Sequence, residues 1–463
     1  MSGRGSLASV VFVRAGLPIV VGAVLAVLGA MLDGAARANV GPTLSAETRA
    51  VAPDAANLWV DGTAGACTRS QAPARYRGAS ACASIDAAWD ACRPGDVIRV
   101  RAGTYAAQAI TGDKAAPGCT VVGDSGTTIG ELTTEGRFLA LQNVTVDVGP
   151  AKRAGWAARA SNVTLTNVAF HGPFVSIDIS GVSNVRWSGG ELGSPNATGG
   201  RRICGQDAEP LQIAGADHVT IDRVRFHPQD ADPTPSPCSA NGFHLEMIRL
   251  DAGTTFFTLS NSTFDNGDHS GTASVFITEP GGSVDPHDLT FENNFFGTND
   301  SVGAFDVHSN VTSCVNFTFA YNTFRAPTGA FQCTSAVNTV WVGNLGANGP
   351  AASCFGTFIN NVWQDTHSDK CGSDTWVFGA RGRVDRLGLG GPDGFHLQPG
   401  SPAIDAGERT GYCTSKLGAR DHDGRRRPIG GRCDAGATEL CGLDDLVERR
   451  LCTRLAQVSV VRR

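Results

Sequence analysis

A short phrase recurs along this chain: an apolar residue, Thr, an apolar residue, any residue, Asn, and an aromatic three residues on. Its copies are Val163-Thr164-Leu165-Thr166-Asn167 with Phe170, and Phe257-Thr258-Leu259-Ser260-Asn261 with Phe264. Two more are Leu289-Thr290-Phe291-Glu292-Asn293 with Phe296, and Phe317-Thr318-Phe319 with Asn322 and Phe324. Looser copies lie at Val185-Arg186-Trp187, at Val219-Thr220-Ile221 with Phe226, and at Thr357-Phe358-Ile359-Asn360 with Trp363; Leu141-Gln142-Asn143 is an earlier partial copy. A unit this short cannot bury a face alone, so repeated copies must stack on one another and share a continuous core.

The phrase alternates with period two, and its β-branched and aromatic residues fit a pleat, so each copy reads as a strand. Asn tolerates a left-handed turn, which lets the chain bend sharply after each strand. Gly189 takes that place in one copy, and the following aromatic returns inward on the next strand. Leu141, Leu165, Trp187, Ile221, Leu259, Phe291, Phe319 and Phe358 are taken as equivalent, at spacings of 24, 22, 34, 38, 32, 28 and 39 residues. The last interval has room for an extra rung at Val340-Trp341-Val342. A basic rung of about 22 residues with loop insertions predicts an all-β solenoid of parallel strands about 4.8 Å apart. An antiparallel sandwich is the competing fold, but hairpin signals such as Asn-Gly between paired strands are scarce. Trp341, Trp363 and Trp376 read as rung core.

The 463 residues carry a net charge of -6, so nothing gives the basic footprint of a nucleic-acid binder. The first 38 residues read as a secretory signal. Arg4 and Arg14 are basic, Ala15 to Leu32 is apolar and uncharged, and Ala36-Arg37-Ala38 is a cleavage site. An uncleaved segment would instead anchor the chain; after cleavage no membrane association is expected. Residues 39–57, rich in Ala, Pro and Thr, read as a linker. Fourteen cysteines in an exported chain point to disulfides. Nearest-neighbour pairing would give Cys67–Cys82, Cys92–Cys119, Cys204–Cys238, Cys314–Cys333, Cys354–Cys371, Cys413–Cys433 and Cys441–Cys452.

Residues 58–105 read as an N-terminal cap: a strand at Leu58-Trp59-Val60, then a helix over Ser84 to Cys92 with Ser84 as N-cap, a Pro94-Gly95-Asp96 turn, a strand, and Ala102-Gly103-Thr104-Tyr105. Near the other end stand Gly400-Ser401-Pro402-Ala403-Ile404-Asp405-Ala406-Gly407, then Asp421-His422-Asp423-Gly424-Arg425-Arg426-Arg427-Pro428, then Asp434-Ala435-Gly436-Ala437-Thr438-Glu439. The first segment resembles the cap of secreted right-handed parallel β-helix proteins of the pectate lyase-like superfamily. The second resembles the "choice-of-anchor Q" segment of bacterial β-helix proteins. Together they imply a single-stranded right-handed parallel β-helix over 106–392, closed by a C-terminal segment over 393–439. Asp421-x-Asp423-Gly424 faintly resembles a calcium loop but lacks the remaining ligands, so a cap turn is expected, with Asp405, Asp434 and Glu439 bonded to backbone. Residues 440–463 read as a short helical tail closed by Cys441 and Cys452, with Leu443, Leu446 and Leu451 inward.

Each rung also offers a polar strand before the Thr phrase. These strands supply a stripe holding Asp178, Gln212, Glu246, Arg249, Glu279, Asp306 and His308, where Thr or Ser would serve a merely solvated face. Insertions at 194–210 and 228–242 lie on consecutive rungs beside it, each with one cysteine, Cys204 or Cys238. The resemblance places a polysaccharide groove on this side. Three outcomes follow. In β-elimination on a uronate, Arg249 would be the base and Glu246, Glu279 and Asp306 the ligands of a calcium ion. In glycoside hydrolysis two carboxylates flank the bond, with Glu279 one rung from Asp306 (about 5 Å) and Glu246 two rungs from it (about 10 Å). His308 would serve as acid or base in either scheme. The third outcome is a non-catalytic sugar-binding or surface-display protein. His269, His287 and His367 read as turn residues. The expectation is an extracellular monomer acting on or binding polysaccharide, a lyase ahead of a hydrolase.

Overall fold

The computed structural model describes residues 54–440, apart from 64, 150–153, 173–174, 194–208, 228–245, 266–272, 280, 282–283, 298–302, 326, 348, 350–354, 365–371, 373, 377–386, 388, 391–393, 408–410, 415–418 and 429–431. The signal segment, most of the linker, the helical tail, both insertions except Glu209 and Pro210, and the cysteine pairs Cys204–Cys238, Cys354–Cys371 and Cys441–Cys452 therefore lie outside the described residues. So do His269, His367 and the side chain of Trp376.

The chain is a right-handed parallel β-helix. Each rung passes through three sheets in turn. The first runs from Leu58–Val60 to Thr357–Ile359 in twelve strands, the second from Gly103–Tyr105 to Thr375–Trp376 in twelve, and the third from Gln108–Ile110 to Gly329–Phe331 in nine. The Thr phrase builds the first sheet, and its register is the one counted from sequence. Leu141, Leu165, Trp187, Ile221, Leu259, Phe291 and Phe319 pair in succession, and Trp341 fills the extra rung before Phe358. All are buried because every second residue of a strand points inward. The aromatics of the second sheet stack below them: Phe226 on Phe264 at 4.4 Å, Phe264 on Phe296 at 4.9 Å and Phe296 on Phe324 at 5.1 Å between ring centres. Trp341 and Trp363 are fully buried in this core.

The turns behave as the phrase predicts. Asn143, Asn167, Asn261, Asn293 and Asn360 have φ between 50° and 56°, and Gly189 and Gly343 share the position. Arg223 (φ 55°) fills it after Val219-Thr220-Ile221. After Phe317-Thr318-Phe319, Tyr321 (φ 54°) takes the left-handed place, and Asn322 is the next residue, turned into the core. There Asn322 joins a buried ladder with Asn294, Asn344, Asn361 and Asp374, in which each amide bonds the next rung at 2.8–3.0 Å.

The helix Ile85–Ala91 closes the first end. The Ser84 hydroxyl accepts from Ala87 N at 3.0 Å, and Ile85, Ala88 and Trp89 are buried on the rungs. Four of the expected disulfides are present: Cys67–Cys82, Cys92–Cys119, Cys314–Cys333 and Cys413–Cys433. The C-terminal segment docks on the solenoid, with Gly436 N bonded to Gly343 O and Ala437 N to the Thr323 hydroxyl. Its acidic residues cap turns as expected. Asp421 accepts from Arg425 N and Glu439 N, Asp434 from Asp405 N and Leu440 N, and Glu439 from Asp434 N. No helix among the described residues is long and apolar enough to cross a membrane.

Candidate functional site

The third sheet presents the polar stripe. On its outer face Asp178, Gln212, Arg249, Phe276 and Asp306 form one in-register row across five successive strands. His308 follows Asp306 by two residues, so period two puts it on the same side, just past the strand Gly303–Val307.

Two expected members of the stripe lie elsewhere. Glu246 pairs with Ala273 in step with Ile248 and Val275, so it shares the inward parity of Ile248 and Leu250, and it is 1% exposed. The reason is the strand period: Glu246 and Arg249 are three residues apart and cannot face the same way. Glu279 lies two residues beyond the strand Ala273–Ile277, and Phe276 holds the position facing Asp306. Asn310 clamps the Glu279 backbone, accepting from Glu279 N at 3.1 Å and donating to Glu279 O at 2.9 Å. Of the carboxylates weighed for hydrolysis, Asp306 alone stands in the outer row. The three carboxylates expected to bind calcium fall on different rows and do not form one ligand set. Among the described residues no group of three or more His, Cys, Asp or Glu is arranged to hold a metal.

Arg249 is the electrostatic centre of the row. Its Nε donates to Asp251 Oδ1 at 2.7 Å, its Nη1 bonds Glu209, and Gln212 Nε2 donates to Asp251 Oδ2 at 2.7 Å. Its guanidinium lies 5.9 Å from the centre of the Phe276 ring. Burial works against its charge, but Asp251 and Glu209 outweigh it and raise the pKa further. Asp178 is held by Arg159 at 2.6 Å and by the Ser180 hydroxyl. Asp306 is 6% exposed. His308 Nδ1 lies 3.4 Å from Asn310 N, which donates to it.

A second polar cluster went unread in the sequence. On the outer side of the second sheet, His171 Nε2 meets Glu191 Oε1 at 2.6 Å, and His227 bridges Glu191 and Asp265 at 2.8 Å each. Arg225 holds Asp265 at 2.9 Å. Hydrogen bonds from His171 and His227 keep Glu191 far below the usual carboxylate range despite its burial. Burial alone would depress His227, but Asp265 and Glu191 prevail and lift it to about 9. The signal was available: His171 and His227 each directly follow an inward aromatic, Phe170 or Phe226, on equivalent strands. A separate cleft of about 260 Å³ lies where the C-terminal segment meets the first and second sheets, lined by Arg223, Arg225, Asn261, Thr263 and His422 among others. Both arginines there are already paired, with Asp222 and Asp265.

No family model matches the chain, and no curated protein does. Among solved structures it is similar to pectate lyase Pel9A, with 16% identity over 82% of this chain and 96% of that one, at a TM-score of 0.41. It is also similar to a rhamnogalacturonan lyase, with 13% identity over 69% and 84% of the two chains and a TM-score of 0.40. A PL6 family alginate lyase, AlyGC, shares 14% identity over 63% and 52%, at a TM-score of 0.32. The fold assignment rests on the strand pairing itself, and the site on its own geometry.

Proposed function

We propose that the protein is secreted, binds an acidic polysaccharide along the outer face of its third sheet, and cleaves it by β-elimination. The observation that carries this reading is the in-register row Asp178, Gln212, Arg249, Phe276, Asp306. Strands about 4.8 Å apart turn these side chains into a ladder along the solenoid axis, which a linear polymer meets one after another. The disulfides support an oxidising, extracellular setting.

The chemistry follows from the partners. Glu209 and Asp251 hold Arg249 protonated, so it faces a uronate carboxylate as a cation and does not serve as the base expected from sequence. Elimination then needs one group to take the proton next to the carboxylate and one to serve the departing oxygen. The C–H electrons become the new double bond, and the glycosidic C–O electrons leave with the oxygen. Asp306 takes the proton. His308, whose Nδ1 accepts from Asn310 N, carries its own proton on Nε2 and gives it to the departing oxygen.

The test incubates the mature protein with pectate, alginate and neutral glycans, with calcium and with a chelator. It reads the ultraviolet absorbance of the unsaturated product and the release of reducing ends. Arg249→Ala and Asp306→Ala should each lower the rate by about 100-fold, the scale of one acid–base or charge-positioning group. Intact activity in both variants would remove this face as the site. Reducing ends without absorbance would mean hydrolysis, and neither signal on any polymer would leave no catalysis.

A further inference from the structure

The corner that leads from the third sheet into the first repeats a left-handed residue on eight rungs: Phe138, Asn162, Asn184, His218, Phe256, Asp288, Asn316 and Asn338, with φ from 50° to 64°. Asn and Asp suit this conformation because their short polar side chains bond locally, whereas a bulky side chain there is a backbone outlier. Phe138 is half-buried over Gly118, whose missing side chain makes room for it. Phe256 has no such excuse. It sits at φ 50° with its side chain in solvent, 41% exposed. The position therefore carries two costs, backbone strain and a wetted aromatic, and packing explains neither.

The surroundings say what the ring is suited to. The His218 imidazole of the preceding rung stacks on Phe256, with centres 4.7 Å apart and planes 24° from parallel. Asp217 lies at the edge, bonded to His218 Nδ1 and to the Thr255 hydroxyl at 2.7 Å each. His218 thus backs one face of the Phe256 ring, and the ring keeps its exposure on the rest of its surface, with a hydroxyl and a carboxylate close by. Among the described residues the other exposed large apolar side chains, Val284 and Val337, belong to later rungs of the same corner, but Asp288 and Asn316 interrupt the row. A protein partner would call for a continuous apolar patch. A pyranose ring instead offers an apolar C–H face and a rim of hydroxyls, which matches a single aromatic platform with polar edges.

We propose that the exposed ring of Phe256, backed by His218, is a stacking platform for one sugar ring of a polysaccharide, a binding point outside the Arg249 row. The platform rests on the polysaccharide reading above and adds an anchor that takes no part in bond cleavage. Phe256→Asn tests it, because Asn is the residue that other rungs place here; the change removes the ring while relieving the backbone. Retardation in gels cast with pectate, alginate or a neutral glycan is the readout, alongside the thermal midpoint. On a polymer that retards the wild type, Phe256→Asn should bind about five-fold more weakly, the size of one aromatic stacking contact, with an equal or higher midpoint. Phe256→Trp should keep the affinity.

Unchanged retardation in Phe256→Asn would overturn the platform alone, leaving the Arg249 row to be judged by its own cleavage assay. No retardation of the wild type by any of the polymers would overturn both. Concentration-dependent self-association lost in Phe256→Asn would replace the sugar with a second copy of the chain.

Discussion

His227 offers the sharpest physical test of the structure. It is 5% exposed in its side chain and sits between Glu191 and Asp265, with His171 bonded to Glu191 and Arg225 to Asp265. Its pKa is 6.5 in an ordinary setting and about 9 here. Each unit of difference corresponds to about 1.4 kcal/mol, so the cluster stabilises the fold by roughly 3 kcal/mol while His227 is charged. The sign follows from linkage. A group whose folded pKa is raised contributes fully below its unfolded pKa and loses that contribution as pH rises through the folded value. The window is therefore pH 6.5 to about 9. His227→Gln should be less stable than the wild type by roughly 3 kcal/mol at pH 6, with the gap closing by pH 9 and above. Urea denaturation followed by tryptophan fluorescence reads it, since Trp187 packs on Phe226, the residue before His227. A gap of the same size at both ends of the window, or none at pH 6, would refute the argument.

Two further outcomes follow from buried groups. Glu292 is lifted to about 8 by burial, with Arg427 lowering it and Asp222 raising it. Above pH 4.5 the unfolded chain gives up this proton while the folded chain keeps it, so Glu292→Gln should gain stability over the wild type progressively up to about pH 8, measured by the same denaturation series. A variant no more stable at pH 8 than at pH 4.5, relative to wild type, would contradict that. Asn322→Ala should cost on the order of 3 kcal/mol, because it removes from the core the acceptor shared by the backbone and side-chain N–H groups of Asn294 and the donor to Phe291 O. A loss under about 1 kcal/mol would mean that the ladder is not structural.

Much of the solenoid was legible before any coordinates because its signal is local and repeated. The residues that pair through the first sheet, from Leu141 to Phe358, were readable as equivalents, since each is the inward apolar of one phrase. The left-handed Asn residues were readable because few side chains tolerate that conformation. The helix over Ile85–Ala91 announced itself through Ser84 and the spacing of Ile85, Ala88 and Trp89. Even so, the period had to be counted strand by strand. Glu246 is charged and shares a strand with Arg249, but three residues along a strand reverse the face.

The remaining site features are joined across rungs by residues 20 to 40 apart; a local pattern can mark a position, as the aromatics before His171 and His227 do, but it does not name the partner. His171, Glu191, His227 and Asp265 meet because four successive strands of the second sheet stack their outer residues. Glu209 reaches Arg249 from the rung before it, and that contact turns a candidate base into a held cation. Phe256 looks in sequence like one more apolar residue before Phe257. Only the backbone shows it to be left-handed, exposed and stacked on His218. Sequence alone thus determined the architecture, because the repeat encodes strand, turn and inward face within a few residues. The tertiary structure decided the chemistry, because charge and exposure depend on which rungs come to lie side by side.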